Sequence, residues 1–345
     1  MKNTQISVVI PFYNAKETLG LCLANLCKQS VKPDEIILVD NDSDDCSKEI
    51  VESFVNDCSD LKIIYLLCEK PGPSAARNKG VDTASGDWII FTDSDCIPSL
   101  NWVSDYTTHF NNEKIGAVAG CIKPYTPTNM IQKTLSLFTL PENEKDVIHD
   151  DFTIDKGLYP TANLAVRREV FESVGGFNVN LKYGEDHELC AKIYRAGHKI
   201  KATKNAAVEH IHRKNLSEFL KQSFRFGTAH PFEVRHLSSG RFIFVIPYLK
   251  VNRVKKGTYV WIDLNQADKK VLGFILLGLI WWPLYILGFV YCLHLCFFIR
   301  KMAKNKGIRA RYAELPFLTS LLILKSFCLT AGRISHSLKY RVFCL

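Results

Sequence analysis

The first 125 residues alternate short apolar runs with amphipathic helical patterns, and this alternation limits the fold more than any other feature. The apolar runs cover residues 6–10, 36–39, 63–67, 88–91 and 117–122, and each has the length and composition of a buried β-strand. Between the first two, Asn14 and Glu17 form a capping-box pattern that predicts the start of a helix. Such strand–helix–strand repeats predict an α/β fold with a doubly wound, mostly parallel sheet of the Rossmann-like type.

Polar residues cluster directly after each of the first four runs, at positions 11–14, 40–45, 71–78 and 93–95. In sheets of this type, ligands bind beyond the carboxyl ends of the strands. One such cluster alone is typical of an ordinary loop. Four of them at the same edge of a sheet predict a ligand site.

The cluster at 93–95 is Asp93-Ser94-Asp95. Alternation along an extended chain points the two carboxylates the same way. A hard cation such as Mg2+ or Mn2+ is usually held by one or two carboxylates together with phosphate oxygens of a substrate. The spacing therefore favours a divalent metal site, although aspartates are also common at strand ends.

Two other clusters are suited to a nucleotide. Asp40 and Asn41 can accept hydrogen bonds from a base and a ribose, although Asp42 or Ser43 can equally cap a helix. In the cluster at 71–78, turn residues give way to a helical pattern, which places Arg77 and a helix N-terminus at the same crevice. That pairing suits phosphate, but an arginine there is also a common surface residue.

Two candidates lie further along the chain. Glu185 and Asp186 precede an amphipathic stretch, where an acidic pair often only balances the helix dipole. A carboxylate in that position can also act as a general base, and Asp186 is the candidate. His210 follows a strand-like run at 201–208 and either completes a metal shell or is an ordinary core or surface imidazole.

The ordered set of motifs resembles the family 2 nucleotide-sugar glycosyltransferases of the GT-A fold. The matching segments are 7–14, 39–43, 72–80, 91–95, 161–165 with Arg167 and Arg168, 175–177, and 184–186. They lie in family order across residues 6–212. Each segment is loose alone, but the family order makes the set specific.

The resemblance implies a donor-nucleotide site made of Pro11, Tyr13, Asp40, Asn41, Arg77 and Asp93. It assigns the metal to Asp95, and His210 is the candidate second ligand. Asp186 would be the catalytic base, and the reaction would be an inverting single displacement. The residues placed near the donor sugar and the acceptor are Asn163, Glu185, Gln222 and Arg225.

Two departures from the family pattern are informative. Asn41 stands where many members have a second aspartate that reads the base. Residues 222–226 resemble the Gln-x-x-Arg-Trp element of processive synthases but end in Phe226. Because the chain also has too few apolar segments for a translocation channel, we expect a non-processive enzyme. The alternative for this stretch is an amphipathic helix against the catalytic domain.

Charge divides the chain into two parts. Residues 231–345 contain 18 Lys and Arg against 4 Asp and Glu, whereas residues 1–230 carry a net charge of −5. Basic residues that flank uncharged apolar segments favour binding to anionic lipid. We do not expect nucleic acid as a partner. The twelve cysteines lack a CxxC pair and no secretory signal pattern opens the sequence, so we expect free thiols in a reducing compartment.

These features predict a domain organisation. Residues 1–230 form the catalytic domain, with a nucleotide-binding half (1–125) and an acceptor-binding half (126–230). Residues 231–270 are a basic amphipathic linker at the membrane interface, 271–299 a transmembrane or re-entrant segment, and 300–345 a basic loop with a second apolar, interfacial segment. We expect attachment to the inner or plasma membrane with the catalytic domain in the cytoplasm.

The segment 271–299 has 29 residues without a charge, against the roughly 20 that a helix needs to cross a bilayer. Pro283 lies near its centre and basic residues flank both ends, so there is no one-sided basic bias of the kind that orients a crossing. We expect a re-entrant hairpin that bends near Pro283, with arms of about 14 residues. One long tilted crossing is the alternative.

The functional expectation is a membrane-attached enzyme of cell-envelope polysaccharide synthesis. It would move a sugar from a UDP- or GDP-sugar to a hydroxyl of a lipid- or polyprenyl-linked acceptor, with Mg2+ or Mn2+. The alternative is an inactive glycan-binding or membrane-anchored interaction protein on the same fold. The joint presence of Asp93, Asp95 and Asp186 disfavours that alternative.

Overall fold

The computed structural model describes residues 4–58, 60–140, 142–153, 156–237, 241–246, 249–254, 257, 259–264 and 266–345. The chain divides into two compact units. The first comprises Met1–Tyr125 and Pro141–Ile211, and the second comprises Thr126–Leu140 and His212–Leu345. The predicted boundary at 230 falls inside a helix of the second unit, and the functional division of the domains stays a prediction.

The strands, in chain order, are β1 (Ile6–Phe12), β2 (Glu35–Asp40), β3 (Ile63–Leu67), β4 (Trp88–Thr92), β5 (Cys96–Pro98), β6 (Ile115–Pro124), β7 (Val147–His149), β8 (Asn163–Arg167), β9 (Lys199–His210), β10 (Arg241–Ile246), β11 (Leu249–Val254), β12 (Val260–Asp263) and β13 (Phe343–Cys344). Each of the five strands expected from the apolar runs is present. The burial of every residue in β1, β2 and β4 explains why those runs do not alternate with polar residues.

The α-helices are α1 (Leu19–Cys27), α2 (Ser47–Asp57), α3 (Pro73–Thr83), α4 (Trp102–Thr107), α5 (Met130–Phe138), α6 (Arg168–Ser173), α7 (Glu185–Arg195), α8 (Leu216–Phe232), α9 (Ala267–Gly278), α10 (Pro283–Asn305) and α11 (Leu315–Tyr340). A π-helical turn, Glu233–Leu237, follows α8, and a 3-10 turn, Tyr312–Glu314, precedes α11.

The first unit is built on one sheet with the order β3-β2-β1-β4-β8-β6-β9-β5, and β7 pairs with β9. The strands β3, β2, β1 and β4 are parallel. Strand β8 is antiparallel to both β4 and β6. The predicted α/β fold is therefore confirmed, and the carboxyl ends of β1, β2, β3 and β4 lie along one edge.

One glycine lets helix α3 pack directly against the sheet. A Cβ at Gly80 would lie 2.5 Å from Cγ1 of Val9 and 3.2 Å from Cγ2 of Val39. A larger side chain would push the helix away from β1 and β2, since core side chains in a close-packed interior cannot yield freely. Gly80 thus fixes the position of the helix that carries Arg77.

The second unit contains a small sheet and the C-terminal helices. Its sheet has the order β11-β10-β12-β13, so the described part of residues 231–270 contains three strands where we expected a linker. The rest of that segment lies outside the described residues. Residues 242–246 are apolar and consist of aromatic and β-branched residues, which favour strands, and β10 pairs with β11.

Three other expectations are corrected. Asn14 and Glu17 do not form a capping box: α1 begins after Thr18, and Asn14 instead bonds Ser43 and Asp44. Likewise α2 begins after Cys46, so neither Asp42 nor Ser43 caps it. Cys27 and Cys58 form a disulfide, so the expectation of free thiols is wrong for this pair, whose separation of 31 residues carried no pairing signal.

The apolar segment breaks where the sequence predicted. Helix α9 ends at Gly278 and α10 begins at Pro283, a favourable first helical position for proline. The second arm is longer than expected, because α10 runs to Asn305. By length and composition, two helical segments in the described part of the chain can cross a membrane: Pro283–Asn305 and Tyr312–Tyr340.

Glu35 stabilises the end of the sheet opposite the strands' carboxyl ends. Its buried carboxylate accepts hydrogen bonds from Ser7 Oγ, Lys62 Nζ and both N and Oγ of Ser85, at 2.6–2.9 Å. Burial acts to raise the pKa of Glu35, but the hydrogen bonds from Lys62, Ser7 and Ser85 outweigh it and lower the pKa to about 2. The ionised side chain therefore ties β1, β2 and the loop before β4 together.

We predict that Glu35→Gln lowers the free energy of unfolding by about 1–3 kcal/mol at pH 7, because the remaining amide oxygen is an uncharged, weaker acceptor and the amide nitrogen cannot accept from Lys62. The loss should shrink as the pH falls from about 5 toward 2. In that range the unfolded carboxyl, with its ordinary pKa of 4.5, takes up a proton while the folded one stays ionised. Urea unfolding at several pH values measures this effect. Glu52→Gln, at an exposed glutamate, is the control, and a loss independent of pH would contradict the assignment.

Candidate active site

The predicted site residues of the first unit lie at the carboxyl edge of its sheet. Asp40 ends β2 and Asp93 follows β4 directly. Arg77 lies on the second turn of α3 and Glu185 begins α7. Strand order and helix position thus bring together segments that are up to 145 residues apart in the sequence.

A buried arginine connects two of these segments. Nη2 of Arg77 donates to Oδ1 of Asp93 at 2.8 Å, and Nη1 contacts Oε1 of Glu185 at 3.2 Å. Only 5 % of Arg77 is exposed. Arginine presents several donors in a fixed plane, so one side chain can hold two carboxylates. Arg77 therefore holds the start of α7 against the end of β4.

The charges in this group depend on each other. Burial acts to lower the pKa of Arg77, but the carboxylates of Asp93 and Glu185 outweigh it and raise the pKa. Burial and the charge of Asp186 raise the pKa of Glu185, against the opposing effect of Arg77. The ring of Phe177 lies 5.6 Å from the guanidinium carbon of Arg77 and covers it on one side.

Asp186, the predicted base, is the second residue of α7 and is half-buried. Its Oδ1 accepts a hydrogen bond from the backbone N–H of His187 at 2.8 Å. Gly184 directly precedes the helix as its N-cap, with a φ of 82° that glycine adopts at no steric cost. Gly184 and the Arg77–Glu185 contact together fix where the carboxylate of Asp186 lies.

Asp95 and His210 are close enough to bind one metal ion. Oδ1 of Asp95 lies 3.5 Å from Nε2 of His210, and two ligand atoms at about 2.1 Å from one cation lie roughly 3–3.5 Å apart. The backbone of Ile211 donates to the Asp95 carbonyl, and Cys96 pairs with His210 in the sheet. The residues present therefore fit a divalent cation.

Cys96 belongs to the same cluster by distance. It is fully buried, and burial together with the charges of Asp95 and Asp93 raises the pKa of its thiol. A protonated thiol is a poor ligand, and hard cations prefer oxygen. Asp95 and His210 are the better ligands.

The predicted nucleotide residues Asp40 and Asn41 are both engaged by the protein. Asp40 accepts from the hydroxyl of Tyr65 at 2.9 Å and from the backbone of Ser43 at 2.9 Å. Burial and this contact raise the pKa of Tyr65 to about 12. Asp40 thus shapes the loop after β2 as well as facing the carboxyl edge of the sheet.

The side chain of Asn41 organises the loop between β3 and α3. Its Nδ2 donates to the carbonyls of Cys68 and Lys70 at 2.8 Å, and its Oδ1 accepts from the backbone N–H of Gly72 at 2.7 Å. An aspartate cannot donate these two bonds. The departure from the family pattern therefore has a structural reason, since asparagine here holds the loop that starts α3.

The loops after β1 and β2 hold each other. Nδ2 of Asn14 donates to Asp44, and the backbone N–H of Asp44 donates back to Oδ1 of Asn14. Pro11 is buried in β1, whereas Tyr13 is 61 % exposed beside this junction. Tyr13 is thus the predicted nucleotide residue with the most surface available to a ligand.

Asn163 was expected to contact the donor sugar or the acceptor, but its side chain forms hydrogen bonds within the core instead. It is buried, and its Oδ1 accepts from Nε1 of Trp102 and the hydroxyl of Tyr106 at 2.8 and 2.7 Å. Its Nδ2 donates to the carbonyls of Cys121 and Ala206. All four hydrogen-bonding positions are used within the core, so Asn163 positions strands and does not offer atoms to a ligand.

Gln222 and Arg225 lie on α8 in the second unit. Gln222 is half-buried and Arg225 is exposed. Their predicted contact with the sugar or acceptor stays a prediction.

Sequence reasoning missed two residues of the site. Ser74, in the first turn of α3, is buried with a hydroxyl that has no hydrogen-bond partner in the part of the chain that the structure describes. Tyr65, in β3, binds Asp40. The signal for Ser74 was present, since a serine next to the first helical proline lies where helix N–H groups are free. Tyr65 looks like an ordinary strand residue in the sequence.

Residues 7–175 match the family model described as Glycosyl transferase family 2. An amylovoran biosynthesis glycosyltransferase of Erwinia amylovora is 32% identical over 58% of this chain and 67% of its own length. The chain belongs to glycosyl transferase family 2. An O-antigen chain rhamnosyltransferase of Salmonella anatum is 26% identical over 65% of this chain and 71% of that protein.

A further relative matches this chain over only part of its own length. The pre-mycofactocin glycosyltransferase of Mycobacterium tuberculosis is 28% identical over 67% of this chain, but the match covers only 48% of that relative. The chain thus spans about half the length of the curated relative.

Two solved structures share the GT-A fold with this chain. One is a mannosyltransferase of Pyrobaculum calidifontis in complex with GDP-Man and Mn2+, with a TM-score of 0.55, 15% identity and coverage of 95% of this chain and 87% of the other. The other is TarS of S. aureus, residues 1–349, in complex with UDP-GlcNAc, with a TM-score of 0.51, 17% identity and coverage of 97% and 92%.

We predict that Arg77→Met lowers the free energy of unfolding by about 3–5 kcal/mol, because it leaves two partly buried carboxylates without a counter-charge. Arg77→Lys should lose less than Arg77→Met because it keeps the positive charge, but it should still be less stable than wild type, since one ammonium cannot reach both carboxylates in the geometry of the guanidinium. Denaturant unfolding of both variants measures the loss.

Arg168→Met provides the matched control, because Arg168 forms an exposed pair with Glu172 and should cost only about 0.5 kcal/mol. If Arg77→Met were as stable as this control, the buried bridge would not be a structural constraint.

Proposed function

We propose that this chain transfers a sugar from a UDP- or GDP-sugar to an acceptor hydroxyl with inversion at the sugar carbon. The observation that carries the proposal is the Arg77 bridge, which holds the Asp93-Ser94-Asp95 segment and the start of α7 at one edge of the sheet. A leaving-group site and a proton acceptor are both needed for a single displacement. These two segments supply them.

Asp186 would act as the general base. In a single displacement, the acceptor oxygen attacks the sugar carbon, its proton passes to the base, and the bond to the nucleotide diphosphate breaks. The start of α7 is held by Gly184 and by the Glu185 contact, which gives the Asp186 carboxylate a defined position. A fixed carboxylate removes much of the entropy cost of aligning base and acceptor.

The donor nucleotide would lie across the loops after β1, β2 and β3. At the N-terminus of α3, the N–H groups of Ala75 and Ala76 bond the carbonyl of Gly72 and Pro73 has no N–H. The groups at this end that remain for a ligand are the backbone N–H of Ser74 and its buried hydroxyl, which has no partner among the described residues. Both are suited to a phosphate or ribose oxygen. Tyr13 is exposed beside the same loops and can stack on a base.

Asp95 and His210 would hold a divalent cation, Mg2+ or Mn2+. Bound there, the cation would supply positive charge to the diphosphate leaving group. Mn2+ in the complex of the Pyrobaculum mannosyltransferase supports this assignment as an analogy of fold.

The acceptor is proposed to be a lipid-linked or cell-surface glycan precursor at a membrane. The amylovoran and O-antigen relatives carry names that refer to envelope polysaccharides. The apolar helices of the second unit support membrane attachment of this chain, with the catalytic unit in the cytoplasm. Incubation of the purified chain with a panel of nucleotide sugars and Mn2+, followed by assay of released nucleotide, tests the activity, and no release from any donor would reject it.

We predict that Asp95→Ala reduces transfer by at least about 100-fold, because the divalent cation proposed at Asp95 would no longer be held beside the diphosphate leaving group. Donor affinity should also fall, and the thermal stabilisation by Mn2+ with a nucleotide sugar should disappear. Asp82→Ala, at an exposed aspartate on α3, serves as the control. Transfer at the wild-type rate in excess Mg2+ or Mn2+ would show that Asp95 does not bind the metal.

For Asp186→Asn we expect a loss of about 10^2 to 10^4 in turnover with nearly unchanged nucleotide binding, as for a lost general base. Single-turnover rates and nucleotide titrations separate the two quantities. Glu169→Gln changes an exposed carboxylate in the first turn of α6 and should leave both unchanged. Equal losses of affinity and rate would make Asp186 a donor ligand or a helix cap instead.

A further inference from the structure

Helices α9 and α10 form an antiparallel hairpin in the second unit. A Cβ at Gly278 would lie 2.6 Å from the ring of Tyr285, so the helices pack closely next to the turn. The ammonium of Lys270 lies 5.4 Å from the centre of the Tyr291 ring. The paired section therefore runs from Lys270 and Tyr291 to the turn, about eight residues on each arm, or ~12 Å.

The outer surface of this hairpin is apolar. Its exposed side chains include Ile275, Leu276, Ile280, Trp281, Trp282 and Phe289, and those of Ile280 and Trp282 at the turn are 85% and 69% exposed. The sequence has no charge between Lys270 and Arg300. Within the apolar window of α10, only 11% of residues are buried by protein. A continuous apolar surface of this kind marks an interaction site.

The start of the hairpin is anchored on α11 by polar contacts. Asp268 accepts from the hydroxyls of Ser326 and Thr330 at 2.6 Å each. The ammonium of Lys269 donates to Thr330 at 2.9 Å. Asp268 is almost fully buried, so this end of the hairpin is fixed to α11.

The other end of the hairpin is anchored on the first part of the same helix. Ile299 and Ala303 of α10 are buried in a cluster with Leu137, Leu315 and Leu318. The last turns of α10 are thus part of a protein core. Although α10 has 23 residues, one side of its C-terminal part is covered by protein and cannot contact lipid.

Helix α11 packs closely along α8. A Cβ at Gly227 would lie 2.1 Å from the carbonyl oxygen of Leu329, and one at Gly332 would lie 2.2 Å from that of Phe224. Helix α8 exposes charged residues, among them Lys221. A helix that exposes charges is costly to place in hydrocarbon, so both helices belong outside the bilayer core.

The residue that follows the end of α10 is attached to α5 and the residues just after it. The ammonium of Lys306 donates to the carbonyls of Ser136 and Leu140 at 3.0 and 3.4 Å. Gln132 donates to the carbonyl of His212, just before α8, at 2.8 Å. Both ends of the hairpin are therefore attached to one assembly of α5, α8 and α11.

From these contacts we propose that the α9–α10 hairpin inserts into one leaflet of an anionic bilayer and returns to the face it entered. The paired depth of ~12 Å fits one leaflet, which is about half of a ~30 Å hydrocarbon core. Lys270 at one end and Lys301 and Lys304 at the other favour anionic headgroups. A crossing by α10 would pull α5 and α8 into the membrane. The inference rests on the proposed membrane attachment, but not on sugar transfer.

Flotation with vesicles tests the attachment itself. The purified full chain is mixed with phosphatidylcholine vesicles containing phosphatidylglycerol, and we expect most of it to float. The double variant Trp281→Asp/Trp282→Asp should bind at least tenfold more weakly. Leu338→Asp, at a 90% exposed position of α11, should bind like wild type. A wild-type chain that stays unbound would reject attachment and the hairpin together, and equal weakening in both variants would reject the hairpin as the anchor.

Cysteine labelling in membranes tests the topology. With the native cysteines replaced, single cysteines are placed by Gln266→Cys, Asn305→Cys and Ile280→Cys, and an impermeant maleimide is added to inside-out and right-side-out vesicles. We expect positions 266 and 305 to react from the same face and position 280 to be protected on both faces until detergent is added. Labelling of 266 and 305 from opposite faces would show a crossing and overturn the proposal. Free labelling of 280 on membrane-bound chain would show that the turn is not inserted.

Discussion

The placement of the candidate site depends on one buried arginine. Arg77 connects Asp93 and Glu185, two carboxylates that the sequence separates by 92 residues. Without the guanidinium, the end of β4 and the start of α7 would carry negative charges in a poorly hydrated crevice and repel each other. The segments containing Asp93 and Asp186 are therefore held at one edge of the sheet by an arginine that belongs to neither segment.

Arg77 in turn depends on how α3 is held. Gly80 lets α3 approach β1 and β2, and the amide of Asn41 fixes the loop through which the chain enters the helix. These are backbone and packing constraints, and they place the arginine and the buried Ser74 hydroxyl at the same edge. The edge proposed to bind a diphosphate thus depends on close packing as much as on charge.

The second unit is governed by anchoring contacts. The α9–α10 hairpin exposes an apolar surface, yet each of its ends is fixed to α11, by Asp268 on one side and by Ile299 and Ala303 on the other. Fixed ends limit how far the apolar surface can reach, and the proposed insertion of the hairpin into one leaflet rests on this limit. In the last turns of α10, apolar residues that make the helix resemble a membrane span are buried in a protein core.

The sequence by itself determined the strands, the α/β class, the edge at which polar residues gather and the break at Pro283. It could do so because burial on both faces leaves continuous apolar runs, and because proline cannot continue a helix. Tertiary structure decided which polar groups remain available to a ligand. Asn163 and Asn41 look like ligand contacts in the motifs, but their amides are used by carbonyls and hydroxyls from distant segments. Hydrogen-bond partners far apart in the sequence leave no local pattern, and the same reason hid the Cys27–Cys58 disulfide, the Arg77 bridge and the anchoring of both hairpin ends on α11.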